Sequence, residues 1–205
     1  LGAKVLQIRS VEFASKYHVP IRVLSSFQKG AGTLITNENQ DMEQPLISGV
    51  AYSRDEAKVT IVGVPDKPGI AHAILDPISR ANIEVDVIVQ NVGSDGTTDF
   101  TFTVHRDDYD KAIQTVQIFA VKTGAREVTG DNRICKLSLV GVGMRSHSGI
   151  ASRMFGALAA EGINILMIST SEIKVSVVVD EKYLELGTRA LHNEFGLADE
   201  GNVAK

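Results

Sequence analysis

The chain has 205 residues, 43% hydrophobic and 22% charged, the make-up of an ordinary soluble globule with room for one or two small domains. A formal net charge of −4 argues against bulk electrostatic binding to nucleic acid, which wants a basic face. No apolar run approaches the roughly 18 residues that cross a bilayer, and no signal-peptide pattern opens the chain; its one cysteine, Cys135, has no partner for an internal disulfide, in keeping with a reducing cytoplasm.

The first residue is Leu1 rather than Met, which points to a processed chain or a fragment. Ala3 to Lys16 reads as a helix, with Val5, Ile8, Val11, Glu12 and Ser15 at mixed helical spacing. His18-Val19-Pro20 stops it, Ile21 to Leu24 is a short strand, and Gly30-Ala31-Gly32 punctuates before Thr33 to Thr36. The polar stretch Asn37 to Asp41 reads as a linker. This front segment is too short for a domain and too patterned for a tail. It reads as the end of a domain whose body lies elsewhere.

A strand at 58–64 then enters Pro65-Asp66-Lys67-Pro68-Gly69 and a helix from Gly69 to Arg80, with Ile70, Ile74, Ile78 and Ala81 on one stripe. Val85 to Val89 is a buried strand, Gly93 to Gly96 a hairpin turn, and Thr98 to His105 an alternating strand. Asp107-Asp108 opens a second helix with Ala112, Val116, Phe119 and Ala120 inward; Gly124 closes it, and Arg126 to Thr129 is the last strand. The order βαββαβ makes a ferredoxin-like α+β sandwich, with helices on one face of an antiparallel sheet.

The unit then repeats. Lys136 to Val142 runs into Gly143-Met144-Arg145-Ser146-His147-Ser148-Gly149, and Ile163, Ile165 and Ile168 answer Ile83, Val85 and Ile88. The second copy has strands 134–142, 163–169 and 173–179 and helices 149–161 and 182–195, but no closing strand after Gly196. A missing edge would leave a neighbouring backbone unpaired. One orphan strand, Leu46 to Tyr52, precedes the first copy. It is expected to complete the second sheet, so that the first domain is inserted in the second. The expected domains are 56–130 for the first and 46–55 with 131–205 for the second.

The strand-to-helix turn is where chemistry could sit. A helix start leaves N–H groups unpaired and points its positive dipole end at them, which suits a carboxylate, and a glycine lets a ligand approach the backbone. Two readings of Asp66-Lys67-Pro68-Gly69 stand: Asp66 simply caps the helix, or the turn binds a ligand with Gln90-Asn91 nearby. The second turn is two residues longer and lies near Ser169-Thr170-Ser171-Glu172, whose hydroxyls and carboxylate would suit an ammonium group. His147 has no second ligand at metal spacing and reads as a solvated loop histidine; His18, His72, His105 and His192 are scattered likewise. There is no P-loop, dinucleotide fingerprint or nucleophile elbow, so no catalytic residue and no metal site is expected in this chain.

The Asp66-Lys67-Pro68-Gly69 turn in a duplicated βαββαβ unit resembles the ACT domain, a small-molecule sensor of amino-acid metabolism. Val89-Gln90-Asn91, Asp95-Gly96-Thr97-Thr98-Asp99, Ser169 to Ile173 and Val140 to Gly149 resemble, more narrowly, the aspartokinase family. The front segment, Gly2 to Leu6 through Gly32 to Ile35, resembles the last stretch of the amino-acid-kinase domain that precedes such sensors, so residues 1–45 are expected to be that tail plus a linker. The resemblance implies a regulatory part of an enzyme that phosphorylates aspartate with ATP, with ATP and Mg held in a catalytic part absent here. It implies lysine and/or threonine as effectors, a homodimer through side-by-side ACT pairing, and a catalytic subunit or domain as partner. Carried over, the first site takes Asp66, Gly69, Ile70, Ala71, Gln90 and Asn91, with Thr98 nearby. The second takes Met144, Ser148, Gly149, Ile150, Ser171 and Glu172, with the Asn164-Ile165 backbone facing the partner. Two rivals remain: an ACT sensor of a different enzyme, and a ferredoxin-like RNA-binding module. The second rival needs exposed aromatics that Val85 to Val89 and Lys174 to Val178 lack.

Overall fold

A computed structural model of the protein describes residues 6–36, 47–141, 144 and 149–197. Two compact units divide the chain, Leu1–Pro45 and Leu46–Lys205. The expected linker, the first residues of the expected front helix, and Ser148 with the rest of 145–148 lie outside the described residues.

In the front unit, α1 (Ile8–Lys16) precedes β1 (Ile21–Val23) and β2 (Thr33–Ile35), which pair antiparallel. His18 takes a left-handed φ of 54°, and the Val19 amide reaches back to Ala14 O at 2.8 Å, so the helix stops where the sequence places its break. No residue of α1 is buried, and Phe27 is 98% exposed.

The second unit contains β3 (Gly49–Pro65), α2 (Ile70–Arg80), β4 (Val85–Val92), β5 (Thr97–His105), α3 (Tyr109–Thr123), β6 (Glu127–Val140), α4 (Ile150–Ala160), β7 (Met167–Thr170), β8 (Lys174–Asp180) and α5 (Leu184–Glu194). Leu46 and Val142 lie outside the described residues; β3 joins residues 49–52 of one expected strand to 58–64 of the next, and β6 joins 127–129 to 134–140. Their polar middles read as loops by composition. Each instead finds its hydrogen bonds in the other: Ser53 stands opposite Lys136, Glu56 opposite Ile134 and Lys58 opposite Asp131, across register shifts that bend both strands. β7 begins later than expected because the Ile163 amide is taken by Leu158 O at 2.9 Å, which ties it to the end of α4. Short 3-10 turns, Arg106–Asp108 and Glu181–Tyr183, precede α3 and α5.

The sheet order is β4-β5-β3-β6-β8-β7, all antiparallel. It is two four-stranded sheets sharing two long strands. The C-terminal half of β3 and the N-terminal half of β6 serve the first domain. The N-terminal half of β3 pairs with the C-terminal half of β6, Gly49 opposite Val140, and so supplies the edge that the second copy lacks. The first domain is inserted in the second.

Each sheet buries one face under its two helices. Val59, Ile61, Phe100 and Phe102 meet Ile70, Ile74, Ile78, Ala112 and Val116 in one core. Leu137, Leu139, Val177 and Val179 meet the equivalent Ile150, Met154 and Leu158, with Leu191, in the other. Full burial of such side chains contributes about 1.5–3 kcal/mol each, which fixes the register of every strand. Cys135 belongs to the second core, and burial, aided by the Glu181 and Asp180 charges, pushes its thiol up to about 12. It is an inert apolar filler at neutral pH. Arg106 joins the two 3-10 turns. Its Nη1 donates to Glu181 Oε1 at 2.9 Å, and its Nη2 to Arg54 O and Ile134 O at 2.5 and 3.2 Å.

Candidate functional site

The two turns are built alike at their helix ends. Gly69 caps α2 with φ 90° and Gly149 caps α4 with φ 100°, and neither helix has a side-chain cap. Asp66 therefore does not cap α2; the capping alternative is not what folds. A Cβ added at either glycine would meet nothing within 4 Å among the described residues, so no described side chain crowds either helix start. Ile70 N–H donates to Lys67 O at 3.2 Å and Ala73 N–H to Gly69 O at 3.0 Å, while the amides of Ala71 and His72 have no partner among the described residues. Unpaired donors at the positive end of a helix dipole favour a negatively charged group.

The rest of the first site is held by the β4–β5 hairpin. The Asp66 amide donates to Gly96 O at 3.0 Å, which brings the hairpin tip against the turn. Arg126 fastens that tip: its Nη2 reaches Asp95 Oδ2 at 2.6 Å and Thr97 Oγ1 at 2.7 Å. Hydrogen bonds from Thr97, with the Arg126 guanidinium, hold the Asp95 carboxyl below the usual carboxylate range. Arg126 lies over Gly63, whose φ is 66° and where a Cβ would sit 2.2 Å from Nε. The left-handed φ and the overlying Arg126 side chain together favour glycine there. The sequence reading missed Gly63 and Arg126 as parts of the site, because their contact depends on a bulge that no local pattern announces.

The site residues named from the sequence separate by depth and face. Thr98 is fully buried and its Oγ1 donates to Asn91 O at 2.9 Å, so it orders the strand. Gln90 stands opposite Phe100 and Asn91 opposite Asp99, so their side chains lie on opposite faces of β4. Ile70 and Ile150 point into the cores, while Gln90, Asn91, Asn164, Ser171 and Glu172 are exposed and Ala71 and Ile165 half-buried. In the second site Met144 is buried, and its amide donates to Glu172 O at 3.1 Å, tying the longer turn to the β7–β8 hairpin. Ser171 N–H closes that hairpin on Lys174 O at 2.8 Å.

A buried ion group lies on the sheet face away from the helices. Lys136 Nζ donates to Glu56 Oε1 at 2.6 Å and to Asp86 Oδ2, with the lysine side chain only 12% exposed. Burial pulls the ammonium down, but the bonds to Asp86 and Glu56 outweigh it and hold its pKa above the ordinary lysine value. This group links β3, β4 and β6. Among the described residues no three metal-ligating side chains gather, and no helix is long and apolar enough to cross a membrane.

The comparisons with known proteins agree with this architecture. The ACT domain family matches residues 58–120 and 137–195. The beta and alpha subunit crystal structure of an aspartokinase contains a chain 53% identical to this one, with TM-score 0.69, covering 73% of this chain and 99% of that one. The chain belongs to the aspartokinase family, as its regulatory ACT-domain part. The regulatory subunit of aspartate kinase from Thermus thermophilus, in its ligand-free form, is 35% identical, with the same TM-score of 0.69 and the same coverage of 73% and 99%. An aspartate kinase of Stutzerimonas stutzeri is 68% identical over 207 residues, covering 100% of this chain and 50% of the relative. The chain thus spans about half the length of the curated aspartokinase relatives it matches.

Proposed function

We propose that the chain is the feedback sensor of an aspartate kinase, binding lysine and/or threonine at the two turns and lowering ATP-dependent phosphorylation of aspartate by a catalytic part. ATP and Mg belong to that catalytic part, and the protein works in the cytoplasm. The observation that carries the reading is the pair of equivalent helix starts, Gly69 and Gly149, left-handed and open, in a chain 68% identical to an aspartate kinase. An amino acid offers each turn a carboxylate for the helix amides. Asp66 and Gln90 at one site, and Ser171 and Glu172 at the other, recognise the ammonium group and the side chain.

The exposed edge strands support a homodimer through ACT pairing. Ile88 and Val92 on β4 and Ile168 on β7 are 49%, 66% and 47% exposed beside unpaired edge backbone. In the front unit Phe13 and Tyr17 stack with ring centroids 6.1 Å apart and stay exposed, as do Ile8 and Phe27, apolar side chains that the rest of a catalytic domain would cover. Effector binding then selects one arrangement of paired domains and shifts the attached kinase toward an inactive state. A coupling of about 1–3 kcal/mol suffices.

Desensitising substitutions test the reading. Asp66→Ala, which removes a charge-assisted contact, and Gly69→Val, which fills the open approach to the helix amides, are each expected to weaken binding of one effector about ten-fold or more, while thermal unfolding stays cooperative. Unaltered titrations in both variants would remove the turns from the site.

A further inference from the structure

The internal repeat leaves one lysine uncompensated. Lys58 and Lys136 are equivalent, each five residues ahead of the matching glycines Gly63 and Gly141. Lys136 is neutralised by Glu56 and Asp86. At the positions equivalent to those two carboxylates the other copy carries Ile134 and Leu166. Lys58 is half-buried and, among the described residues, its side chain has neither hydrogen bond nor ion pair. Asp131, its cross-strand neighbour, accepts from the Arg133 amide and Asp99 from the Gly63 amide, and neither carboxylate makes an ion pair with Lys58.

Lys58 lines a half-open cleft of about 490 Å³ between the outer face of the first sheet and the segment Ile165–Ile168, which includes the start of β7. Its polar wall is Lys58, Thr60, Thr101 and Asn91, and its apolar wall is Val89 with Ile165–Ile168. Thr60 and Thr101 share one hydrogen bond at 3.0 Å, which uses one of their two hydroxyl protons and leaves the other to donate. The Asn91 amide group adds a further donor. One cation and two neutral donors complement a single negative charge, and the opposite wall suits a short aliphatic chain.

We propose that this cleft binds a small aliphatic monocarboxylate, with its carboxylate on Lys58 and its chain against Leu166 and Met167. The site is on the face of β4 opposite Gln90 and shares Asn91 and Ile165 with the residues carried over above; it does not depend on the amino-acid reading of the two turns. Lys136 cannot do the same, because Asp86 already occupies its ammonium.

The test is calorimetric titration of the 205-residue chain with butanoate and with its neutral isostere butanamide. Saturable butanoate binding that butanamide does not reproduce is expected. It should weaken about ten-fold or more in Lys58→Gln. Leu166→Asp, which offers Lys58 the carboxylate that Asp86 offers Lys136, should abolish it in a chain that still melts cooperatively, and this holds even where Lys58→Gln folds poorly. Asp66→Ala should leave it unchanged. Absent butanoate binding, equal binding of the two isosteres, or binding lost in Asp66→Ala but kept in Leu166→Asp would overturn the proposal.

Discussion

Gly69, Gly149 and Gly63 are required for different reasons. At Gly69 and Gly149 nothing crowds a side chain, and the constraint is the left-handed φ alone. Gly69→Ala is therefore expected to cost about 1–2 kcal/mol in urea unfolding. At Gly63 the same φ is combined with the Arg126 side chain overhead, so Gly63→Ala should cost more and release the hairpin tip. The Lys136 group makes a second residue-scale prediction. Lys136→Met leaves Glu56 buried beside a methyl group, and an uncompensated buried charge costs about 3–5 kcal/mol. Adding Glu56→Gln should recover most of that loss. The pH dependence has a definite sign. A lysine whose folded pKa is raised gives its full stabilisation below its ordinary value of 10.5 and loses it as pH rises through the folded value. Wild-type stability should fall at that alkaline limit more steeply than that of the double variant. Identical alkaline profiles would show the group to be electrostatically idle.

At the scale of elements, the long strands β3 and β6 make the inserted topology. Each serves two sheets, yet each sheet keeps its own core, so Ile74→Ala and Met154→Ala should each cost about 2–5 kcal/mol and add to within about 0.5 kcal/mol. Chemical denaturation of the two single variants and the double variant checks this; strong non-additivity would mean that the cores are one. The helices were legible because Ile70, Ile74 and Ile78 keep strict helical spacing and bury as that spacing demands. The donation of β3 to the second sheet was legible too, since a copy short of one strand needs an edge. The continuity of β3 and β6 was not. Ser53 to Glu56 and Gly130 to Arg133 are polar and carry no period, and only the pairing of β3 with β6 makes them strand, Ser53 and Glu56 against Lys136 and Ile134, Asp131 and Gly130 against Lys58 and Val59. The turns could be located from Pro68 and the glycines. The lock made by Arg126, Asp95 and Gly63 could not, because it joins three segments far apart in sequence. The split of Gln90 from Asn91 was available in the period-2 rule, but a polar pair at the end of an apolar strand reads as one feature.

Over the whole molecule, duplication followed by divergence gives two equivalent turns of unequal length and two equivalent lysines of unequal company. In the proposed homodimer the exposed apolar residues on β4 and β7 are the contacts for a second copy. Ile168→Lys is expected to lower the apparent mass in sedimentation equilibrium while leaving both cores intact; an unchanged mass would place the interface elsewhere. The central claim, that this regulatory part senses the end products of the reaction it controls, is tested most directly by calorimetric titration with lysine and with threonine. Each is titrated alone and then with the other present. Saturable binding of at least one, lost in Asp66→Ala or in Glu172→Ala according to the site it fills, is the expected result. A folded, dimeric chain that takes up neither amino acid would contradict it.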